Sequence, residues 1–328
     1  MHLIYCYISE IIPEYIYLSL KQARLFNPTI SIYFITNGKI TSKYETLNIN
    51  IIKTKDLIKT KNHNEFIKKN VMKKTGVINF YNKNFWTLST ERFFYIEELM
   101  KKYNLINVIQ IECDNLLYYD FTKIFNGIEK LNKKHIVCGD RPNTLSNAIT
   151  YFKNYETISL FTNFLTKESQ GTYEKILDKF NKYGLLGRSH AKVNDMSFTM
   201  LYYKLNKNNS DFMDLFPLLP FNENFKNNEQ NTDNYKYFEV IFDGASWGMY
   251  LGGWPDEMSK DNKILGPGYT DKNYAVGRML ISKRFEFKWE ENDKGYKIPI
   301  CYDKKMNKKT LICNLHIHNK KVKDFISF

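Results

Sequence analysis

Long apolar stretches are absent from this sequence. No run of hydrophobic residues approaches the roughly 20 that a helix needs to cross a bilayer. The first residues, MHLIYCYI, enter an apolar run without a basic leader or a small-residue cleavage site. A secretory signal peptide carries both features, so the sequence predicts neither a signal peptide nor a transmembrane segment.

Cysteine is scarce, and its spacing argues against two kinds of site. The five cysteines form an odd set without a CxxC pair, so neither a zinc ribbon nor a closed disulfide framework is supported. Cys6, Cys113 and Cys138 lie in apolar, strand-like runs. We therefore expect buried free thiols in a reducing compartment, which predicts a cytoplasmic protein.

The chain has a formal net charge of +13, yet its densest basic stretch lacks arginine. Residues 53–74 include eight lysines and no arginine. A groove that reads base edges usually uses the planar fork of arginine, so nucleic acid is not the favoured partner. Lys is abundant together with Asn, Ile, Tyr and Phe, a combination that AT-rich coding sequence produces without selection for a polyanion.

Internal repeats and linkers rich in Pro, Gly or Ser are also absent, and 328 residues with 43% hydrophobic content suit one large domain. Short β-branched runs alternate with amphipathic helical patterns in the first half of the chain. The predicted strands are 3–8, 30–36, 48–52, 108–113 and 135–140, and the predicted helices are 14–26, 91–103, 155–166 and one starting near 193.

Strands separated by helices predict a mostly parallel sheet. From Arg284 onward, the segments FEFKW, YKIPICY and TLICNLHIH are separated by turns, which indicates an antiparallel arrangement. The predicted fold class is α/β, a Rossmann-like, mostly parallel mixed sheet flanked by helices, with a C-terminal antiparallel β segment. We expect a single domain over 1–328 with one lobe at 1–140 and a second at 141–328.

Two carboxylates lie at the end of the fourth predicted strand, in the segment IECDN. Alternate residues of a strand share a face, so Glu112 and Asp114 are predicted to point the same way at its carboxyl end, where α/β sheets bind ligands. A buried carboxylate pair needs a compensating cation, and hard oxygen ligands suit Mg²⁺ or Mn²⁺. Helix capping and salt bridges are the alternative roles.

A second group of polar side chains lies near the end of the chain, in NLHIHNK. His316 and His318 are predicted to share one face of a strand, and Lys320 continues that parity. Imidazole combined with carboxylate favours Mn²⁺ or a similar ion over Mg²⁺ alone, and the lysine could hold a phosphate. The alternative is that the histidines are structural residues of the core.

Arg92 is the third candidate. Thr90 is predicted to cap the helix over 91–103, which places Arg92 in the first turn. The helix dipole opposes a cation at that end, so we expect an anionic partner nearby, either a diphosphate or the acidic strand end. A surface salt bridge with Glu91 or Glu97 is the alternative.

Taken in order, these segments resemble GT-A glycosyltransferases. In that class an Arg-bearing helix precedes a DxD motif, and here Arg92 precedes IQIECDNLLY, with Glu112 in place of the first Asp. AITYFKN resembles the small-residue strand that follows, and VNDMSFTM resembles the short acidic motif near the sugar. HIHNKK is similar to the closing His and Lys motif of glycogenin-like family 8 enzymes.

The resemblance implies transfer of a sugar from a nucleotide donor, by analogy a UDP-sugar, to a glycan or protein hydroxyl. It implies that Mn²⁺ or Mg²⁺ is bound by Glu112, Asp114, His316 and His318. It implies that the donor is bound by Arg92, Glu112, Asn115 and Lys320. The first lobe would hold the donor and the second the acceptor. Glu112 could also act through water or bind the ribose, and a homodimer is compatible with the sequence.

Two further carboxylates are candidates for catalysis. By the same resemblance Asp195 lies beside the sugar, where it would deprotonate the acceptor in an inverting reaction or orient the sugar in a retaining one. Capping the helix is its alternative role, which Asn194 could fill equally well. Asp243 lies in a glycine-bearing segment with Trp247 and Trp254, whose flat faces could line an acceptor pocket, although the glycines could equally serve close packing.

Two other functions stay open at this point. The ExD and HxH pairs could build a metal-dependent phosphoesterase or nuclease, which a basic surface would suit, although two-metal hydrolases usually have more acidic ligands. A non-catalytic protein of the same fold could instead bind a polyanion through residues 53–74. Cleavage products of a UDP-sugar distinguish the first alternative, and nucleotide diphosphate binding distinguishes the second.

Overall fold

The computed structural model describes residues 1–69, 85–141, 144–185, 193–220, 233–253, 266–272 and 275–328. The end of the lysine-rich stretch, 70–74, and Trp254 lie outside the described residues.

The secondary structure alternates as the sequence predicts. The strands are β1 (His2–Tyr7), β2 (Ser31–Thr36), β3 (Asn50–Lys53), β4 (Val108–Ile111), β5 (Asn115–Leu117), β6 (His135–Arg141), β7 (Thr144–Phe152), β8 (Met213–Phe216), β9 (Phe285–Glu291), β10 (Lys297–Asp303), β11 (Lys308–Leu311) and β12 (Asn314–His316). The helices are α1 (Glu14–Phe26), α2 (Lys61–Lys69), α3 (Phe85–Tyr103), α4 (Phe121–Leu131), α5 (Tyr155–Glu168), α6 (Tyr173–Lys182), α7 (Asp195–Asn206), α8 (Tyr235–Phe238), α9 (Ser246–Gly252) and α10 (Ala275–Ile281).

The predicted architecture is confirmed. The main sheet has the order β3-β2-β1-β4-β7-β6-β8, and its neighbours are parallel except where β7 runs against β4 and β6. A separate antiparallel sheet, β11-β10-β9, follows in the C-terminal part. Strands from both sides of residue 140 share the main sheet, and the division into two lobes stays a prediction.

Helices cover both faces of the main sheet. Successive residues of a strand point to opposite faces, and here successive residues are apolar. In β1, Leu3 and Tyr5 belong to the apolar cluster that also contains residues of α1 and α4, while Ile4 belongs to the cluster formed with α3, α5 and α7. All three side chains are fully buried. This two-sided burial is typical of parallel strands and leaves the strand ends as the place for polar groups.

One predicted boundary is wrong in a way that matters for the site. Helix α3 begins at Phe85, six residues before the predicted start, so Arg92 lies inside the helix and not in its first turn. Thr90 does not cap the helix, because its hydroxyl donates to the Trp86 carbonyl at 2.9 Å, one turn back. A threonine can bond in either manner, which is why the sequence signal was ambiguous.

Two expectations from the sequence concern the cysteines and membrane-spanning helices. All five cysteines are free, and Cys113 and Cys138 are buried, whereas Cys6 is only partly buried. Within the described ranges, no helix combines the length and the apolar character needed to cross a membrane.

The first residue of β6, His135, is an unusual core residue. Its ring centroid lies 4.5 Å from that of Phe152 and 5.2 Å from that of Phe161. The residue is fully buried, and neither ring nitrogen has a hydrogen-bond partner among the described residues. Burial lowers the pKa of His135 to about 3, so the ring stays neutral in the folded protein.

Because His135 is buried in its neutral form, we expect the stability of the folded protein to fall in acid. Between the ordinary pKa near 6.5 and the folded value of about 3, the unfolded chain binds the extra proton, so stability falls as the pH drops below 6.5. At pH 5 the loss from this one group is about 2 kcal/mol. His135→Phe should remove that part of the loss, as measured by urea unfolding at pH 7 and pH 5.

A core substitution without a titrating group provides the control. Phe198→Leu, at a fully buried position whose ring packs against Phe180, should change the free energy of unfolding by a similar amount at both pH values. If His135→Phe keeps the full pH dependence of the unaltered chain, the buried neutral state assigned to His135 is wrong.

Candidate active site

The acidic segment lies in a turn and not in a strand. β4 ends at Ile111, and the backbone N–H of Asn115 donates to the Glu112 carbonyl at 3.0 Å, which closes a turn over the intervening residues. The prediction that Glu112 and Asp114 share a strand face is therefore wrong. The turn nevertheless brings both carboxylates near one histidine. β5 begins immediately after the turn, and the strand that pairs with β5 carries this histidine.

That histidine is His316, which reaches the turn through strand pairing. β12 pairs antiparallel with β5, with His316 opposite Asn115. As a result, Nε2 of His316 lies 3.2 Å from Oδ1 of Asp114 and 3.1 Å from Oε2 of Glu112. Glu112 and Asp114 thus form one polar cluster with His316, which lies about 200 residues further along the sequence.

The other ring nitrogen of His316 fixes its orientation. Nδ1 lies 2.7 Å from the Gly244 carbonyl oxygen, which can only accept, so Nδ1 carries the hydrogen. Nε2 therefore faces the two carboxylates. Burial alone would lower the pKa of His316, but Asp114 and Glu112 raise it well above its ordinary value. A histidine held in this way is typical of metal ligands.

His318 lies beside His316, although not as predicted. β12 ends at His316, and the backbone N–H of His318 donates to the His316 carbonyl at 3.1 Å, so the shared strand face is wrong for this pair as well. The two rings nevertheless lie 4.0 Å apart, tilted by 33°. Asp114, His316 and His318 each offer one ligand atom, and these atoms lie within 4.8 Å of one another.

The charge states of Asp114 and His318 suit ligation. Burial, followed by the charge of His316, lowers the pKa of His318 to about 3, which keeps the imidazole neutral. Burial disfavours the ionised form of Asp114, but His316 and Lys320 hold its pKa well below the ordinary value. Metal ligands must be deprotonated, and both residues meet that condition.

Lys320 forms an ion pair with Asp114. Its backbone has a φ of 63°, in the left-handed region, and the N–H donates to the Ile317 carbonyl at 3.0 Å, so a tight turn brings the side chain back over the site. The side chain is 44% exposed. The ammonium group can therefore reach both Asp114 and an incoming anion.

Arg92 pairs with the acidic strand end, one of the partners that the sequence predicts, and also with Asp195, which was not predicted as its partner; the dipole argument is wrong. One guanidinium nitrogen pairs with Glu112, and Nη2 lies 2.6 Å from Oδ2 of Asp195. Burial disfavours the ionised form of Glu112, but the charge of Arg92 and the contact with His316 lower its pKa to about 2. The acidic strand end is the partner seen here, in place of a surface salt bridge.

Asp195 is the first residue of α7 but does not cap it. Asn194 fills that role, because its side chain accepts the Ser197 N–H at 2.8 Å. The Asp195 carboxylate instead pairs with Arg92 and accepts from Nδ2 of Asn147 at 3.1 Å. Burial raises the pKa of Asp195 despite the neighbouring Arg92. The buried Asp195 carboxylate therefore takes no part in capping α7 and belongs to the polar cluster.

The cluster is balanced by the proton on His316. Glu112, Asp114 and Asp195 contribute three negative charges, and Arg92 and Lys320 contribute two positive ones. Asp114 and Glu112 raise the pKa of His316 well above its ordinary value, so its imidazolium supplies the third positive charge. A divalent cation at Nε2 would displace that proton and replace its charge.

Asp243 and Asn115 are fully buried beneath this cluster. Nδ2 of Asn115 donates to the Ala148 carbonyl at 3.2 Å, and its oxygen accepts from Asn314 at 2.6 Å. The Asp243 carboxylate accepts only from backbone N–H groups among the bonds described. Direct contact of either side chain with a donor would require these bonds to break.

Trp247 does not line a pocket. It is fully buried, and its ring packs 6.1 Å from that of Phe287, in the apolar cluster beneath the C-terminal sheet. The expectation that its face contacts an acceptor sugar is therefore wrong. Trp247 looked like a binding residue because a flat aromatic side chain next to glycines serves packing and sugar recognition equally well.

Sequence reasoning missed two contributors, Asn147 and Gly244. Asn147 had only a weak signal, an amide next to the small residues of β7, TLSNAITYF. Gly244 acts through its backbone carbonyl, which leaves no side-chain signal. An added Cβ at Gly244 would lie 2.4 Å from the Gly139 carbonyl oxygen, so only glycine fits there.

No family model and no curated protein matches this chain. Among solved structures, mouse xyloside xylosyltransferase 1 is similar at 10% identity over 72% of this chain and 93% of that chain, with a TM-score of 0.40. Galactosyltransferase LgtC, in complex with donor and acceptor sugar analogues, is similar at 10% identity over 71% and 84%, with a TM-score of 0.39. The PaToxG glycosyltransferase is similar at 15% identity over 62% and 68%, with a TM-score of 0.36. Likenesses this distant leave the activity to be argued from the site residues themselves.

The double ion pair of Arg92 should be a main source of stability around the site. Arg92→Met leaves Glu112 and Asp195 without their shared cation, and breaking a buried pair in this way costs about 3–5 kcal/mol. The free energy of unfolding, from urea titration monitored by circular dichroism, measures the loss.

Arg284→Met is the matched control, because Arg284 forms an ion pair with Asp303, at 2.9 Å and 2.5 Å, away from the acidic cluster. Asp303 keeps its bonds from the backbone N–H groups of Lys305 and Met306 in that variant, so the loss should be smaller. Equal losses in the two variants would contradict the special role of Arg92.

Proposed function

We propose that this chain is a metal-dependent glycosyltransferase of the GT-A type, which transfers a sugar from a nucleotide donor, by analogy a UDP-sugar, to a hydroxyl acceptor. One observation carries the proposal. His316 turns Nε2 toward Asp114 and Glu112 while Nδ1 donates to a backbone carbonyl. A histidine fixed by a carbonyl and facing two carboxylates is the arrangement of a divalent metal site.

The residues present fit a divalent ion. Asp114, His316 and His318 would hold it, and Glu112 would assist from the same side. Mixed imidazole and carboxylate ligands favour Mn²⁺ or a related ion, with Mg²⁺ the weaker candidate. The bound ion would neutralise charge that develops on the leaving diphosphate, an effect worth several kcal/mol.

Lys320 is proposed to bind the donor diphosphate. Its ammonium group already contacts Asp114, and nearly half of its side chain is exposed. A cation next to the ligand residues would stabilise the negative charge of the leaving group without reorganisation. The turn at Ile317–Lys320 keeps it there.

Arg92 is proposed to act on the donor through Glu112 and Asp195, since both ends of its guanidinium fork are engaged with these carboxylates. Asp195 is proposed to contact the transferred sugar. Arg92 and Asn147 fix the carboxylate in place, which suits orientation of a sugar hydroxyl. Deprotonation of the acceptor by Asp195 is the corresponding role in an inverting reaction.

Asp114→Asn tests the function. The substitution keeps the size of the side chain and removes the negative charge that a divalent ion needs. We expect release of UDP from a UDP-sugar panel with Mn²⁺, with and without acceptors, to fall by at least about a hundredfold, as for loss of a main electrostatic group. Circular dichroism verifies that the variant is folded.

Asp120→Asn is the control for this experiment. Asp120 lies six positions further along and caps α4, and asparagine is an equally good cap, so the variant should keep full activity. Turnover of Asp114→Asn close to that of the unaltered chain would reject the assignment.

The products of the same assay separate the rival functions. Cleavage on the sugar side leaves UDP, whereas a phosphoesterase would leave a sugar phosphate. A non-catalytic polyanion-binding protein would give neither product, and a thermal-shift screen with Mn²⁺ would show no binding of nucleotide diphosphates. Either result would overturn the glycosyltransferase proposal.

A further inference from the structure

A buried polar network joins the two halves of the site from below. Asn314, on β12, donates through Nδ2 to the Asn115 side-chain oxygen at 2.6 Å and to the Asp243 carbonyl at 2.8 Å. Its own oxygen accepts the Asp243 N–H at 3.0 Å. All three residues are fully buried. The network therefore fixes β5, β12 and the segment at Asp243 relative to one another.

The Asp243 carboxylate organises the backbone around His316. Oδ1 accepts the Trp247 N–H at 2.9 Å. Oδ2 accepts both the Gly248 N–H at 2.8 Å and the His316 N–H at 2.9 Å. One side chain thus satisfies three backbone donors that come from α9 and β12, two elements without a common hydrogen-bond ladder.

The same segment also holds the imidazole ring. Gly244 follows Asp243, and its carbonyl accepts from Nδ1 of His316 at 2.7 Å. Close contact of α9 with β12 requires glycine at position 248, where an added Cβ would lie 1.9 Å from the His316 carbonyl oxygen. Asp243 and its neighbours therefore determine both the backbone position of His316 and the direction of its Nε2.

We propose that Asp243 is a positioning residue, which directs Nε2 of His316 at Asp114 and Glu112 and thereby sets the affinity of the site for a divalent cation. This role replaces the direct catalytic role expected from the sequence, because a carboxylate bonded to three buried N–H groups has no face left for substrate. The effect on metal affinity rests on the proposed function, whereas the effect on the His316 ring does not.

Asp243→Asn is the decisive substitution, because it preserves size and changes only hydrogen-bonding chemistry. An amide has one oxygen, so its NH₂ group must face at least one of the three N–H donors. We expect the His316 ring signals in the ¹H–¹³C NMR spectrum of the metal-free protein to shift. The affinity for Mn²⁺, measured from the free-ion electron paramagnetic resonance signal, should fall about 10–100-fold, the usual effect of losing such support.

Asp303→Asn provides a matched control. Asp303 is also a buried carboxylate that accepts backbone N–H groups, at Lys305 and Met306, but it lies in the β10–β11 hairpin. This variant should lose stability without changing the His316 signals or the Mn²⁺ affinity. If the two variants behave alike, Asp243 has only a general structural role and the proposal is wrong.

The remaining outcomes are separable. Unchanged His316 signals in folded Asp243→Asn would overturn the positioning role whether or not metal binds. If the unaltered protein binds no Mn²⁺ but Asp243→Asn still shifts the His316 signals, the positioning of the ring stands. The effect on metal affinity and the proposed function are then both wrong. If Asp243→Asn does not fold, Asn314→Ala removes the contact with the Asp243 backbone and should shift the same signals.

Discussion

The short pairing of β5 with β12 is the contact on which the site depends. It involves three residue pairs, Asn314 with Leu117, Leu315 with Leu116, and His316 with Asn115. β5 follows the acidic turn directly, and β12 precedes His318 and Lys320 directly. A shift of this register by one residue would turn His316 to the other side of the ladder and away from both carboxylates. Such a short ladder needs further support, and the buried Asn115–Asn314 bond supplies it.

Neighbouring basic groups stabilise the carboxylates of the polar cluster. Each carboxylate in it touches a basic group: Glu112 pairs with Arg92 and His316, Asp114 with Lys320 and His316, and Asp195 with Arg92. Burial would otherwise raise the pKa of each acid. The accessible Lys320 side chain lies beside these carboxylates, which is the arrangement that the proposed binding of a metal and a diphosphate needs.

Beneath the charged cluster lies a supporting layer of backbone hydrogen bonds, the Asn314 amide and the Asp243 carboxylate. Gly244, Asn314 and the Asp243 carboxylate act on His316 without facing the site. The glycine-bearing segment after Asp243 thus has a clear physical purpose in close packing, since Gly248 meets the His316 backbone. Trp247 is buried by the same packing, which is why it cannot present a face to a sugar.

Much of the fold could be predicted from local pattern. α1 was predicted with the observed bounds, and β1, β2 and β6 within one residue at each end, because period-two and helical patterns record burial directly. The start of α3 was not predicted, because Thr90 and Glu91 imitate a cap while the helical turn before them, FWTLS, carries no charged residue. The breaks after Ile111 and at His316 were missed because the alternation of apolar and polar residues continues past both strand ends.

The sequence by itself determined the alternating architecture and the identity of the polar residues Arg92, Glu112, Asp114 and His316, since residue types and their order carry that information. Only the tertiary structure decided that these residues meet, which of Asn194 and Asp195 caps α7, and that Asp243 faces the backbone. The physical reason is that hydrogen-bond partners depend on contacts between distant segments. A carboxylate that will bind a metal and one that will hold a turn have the same local sequence signature.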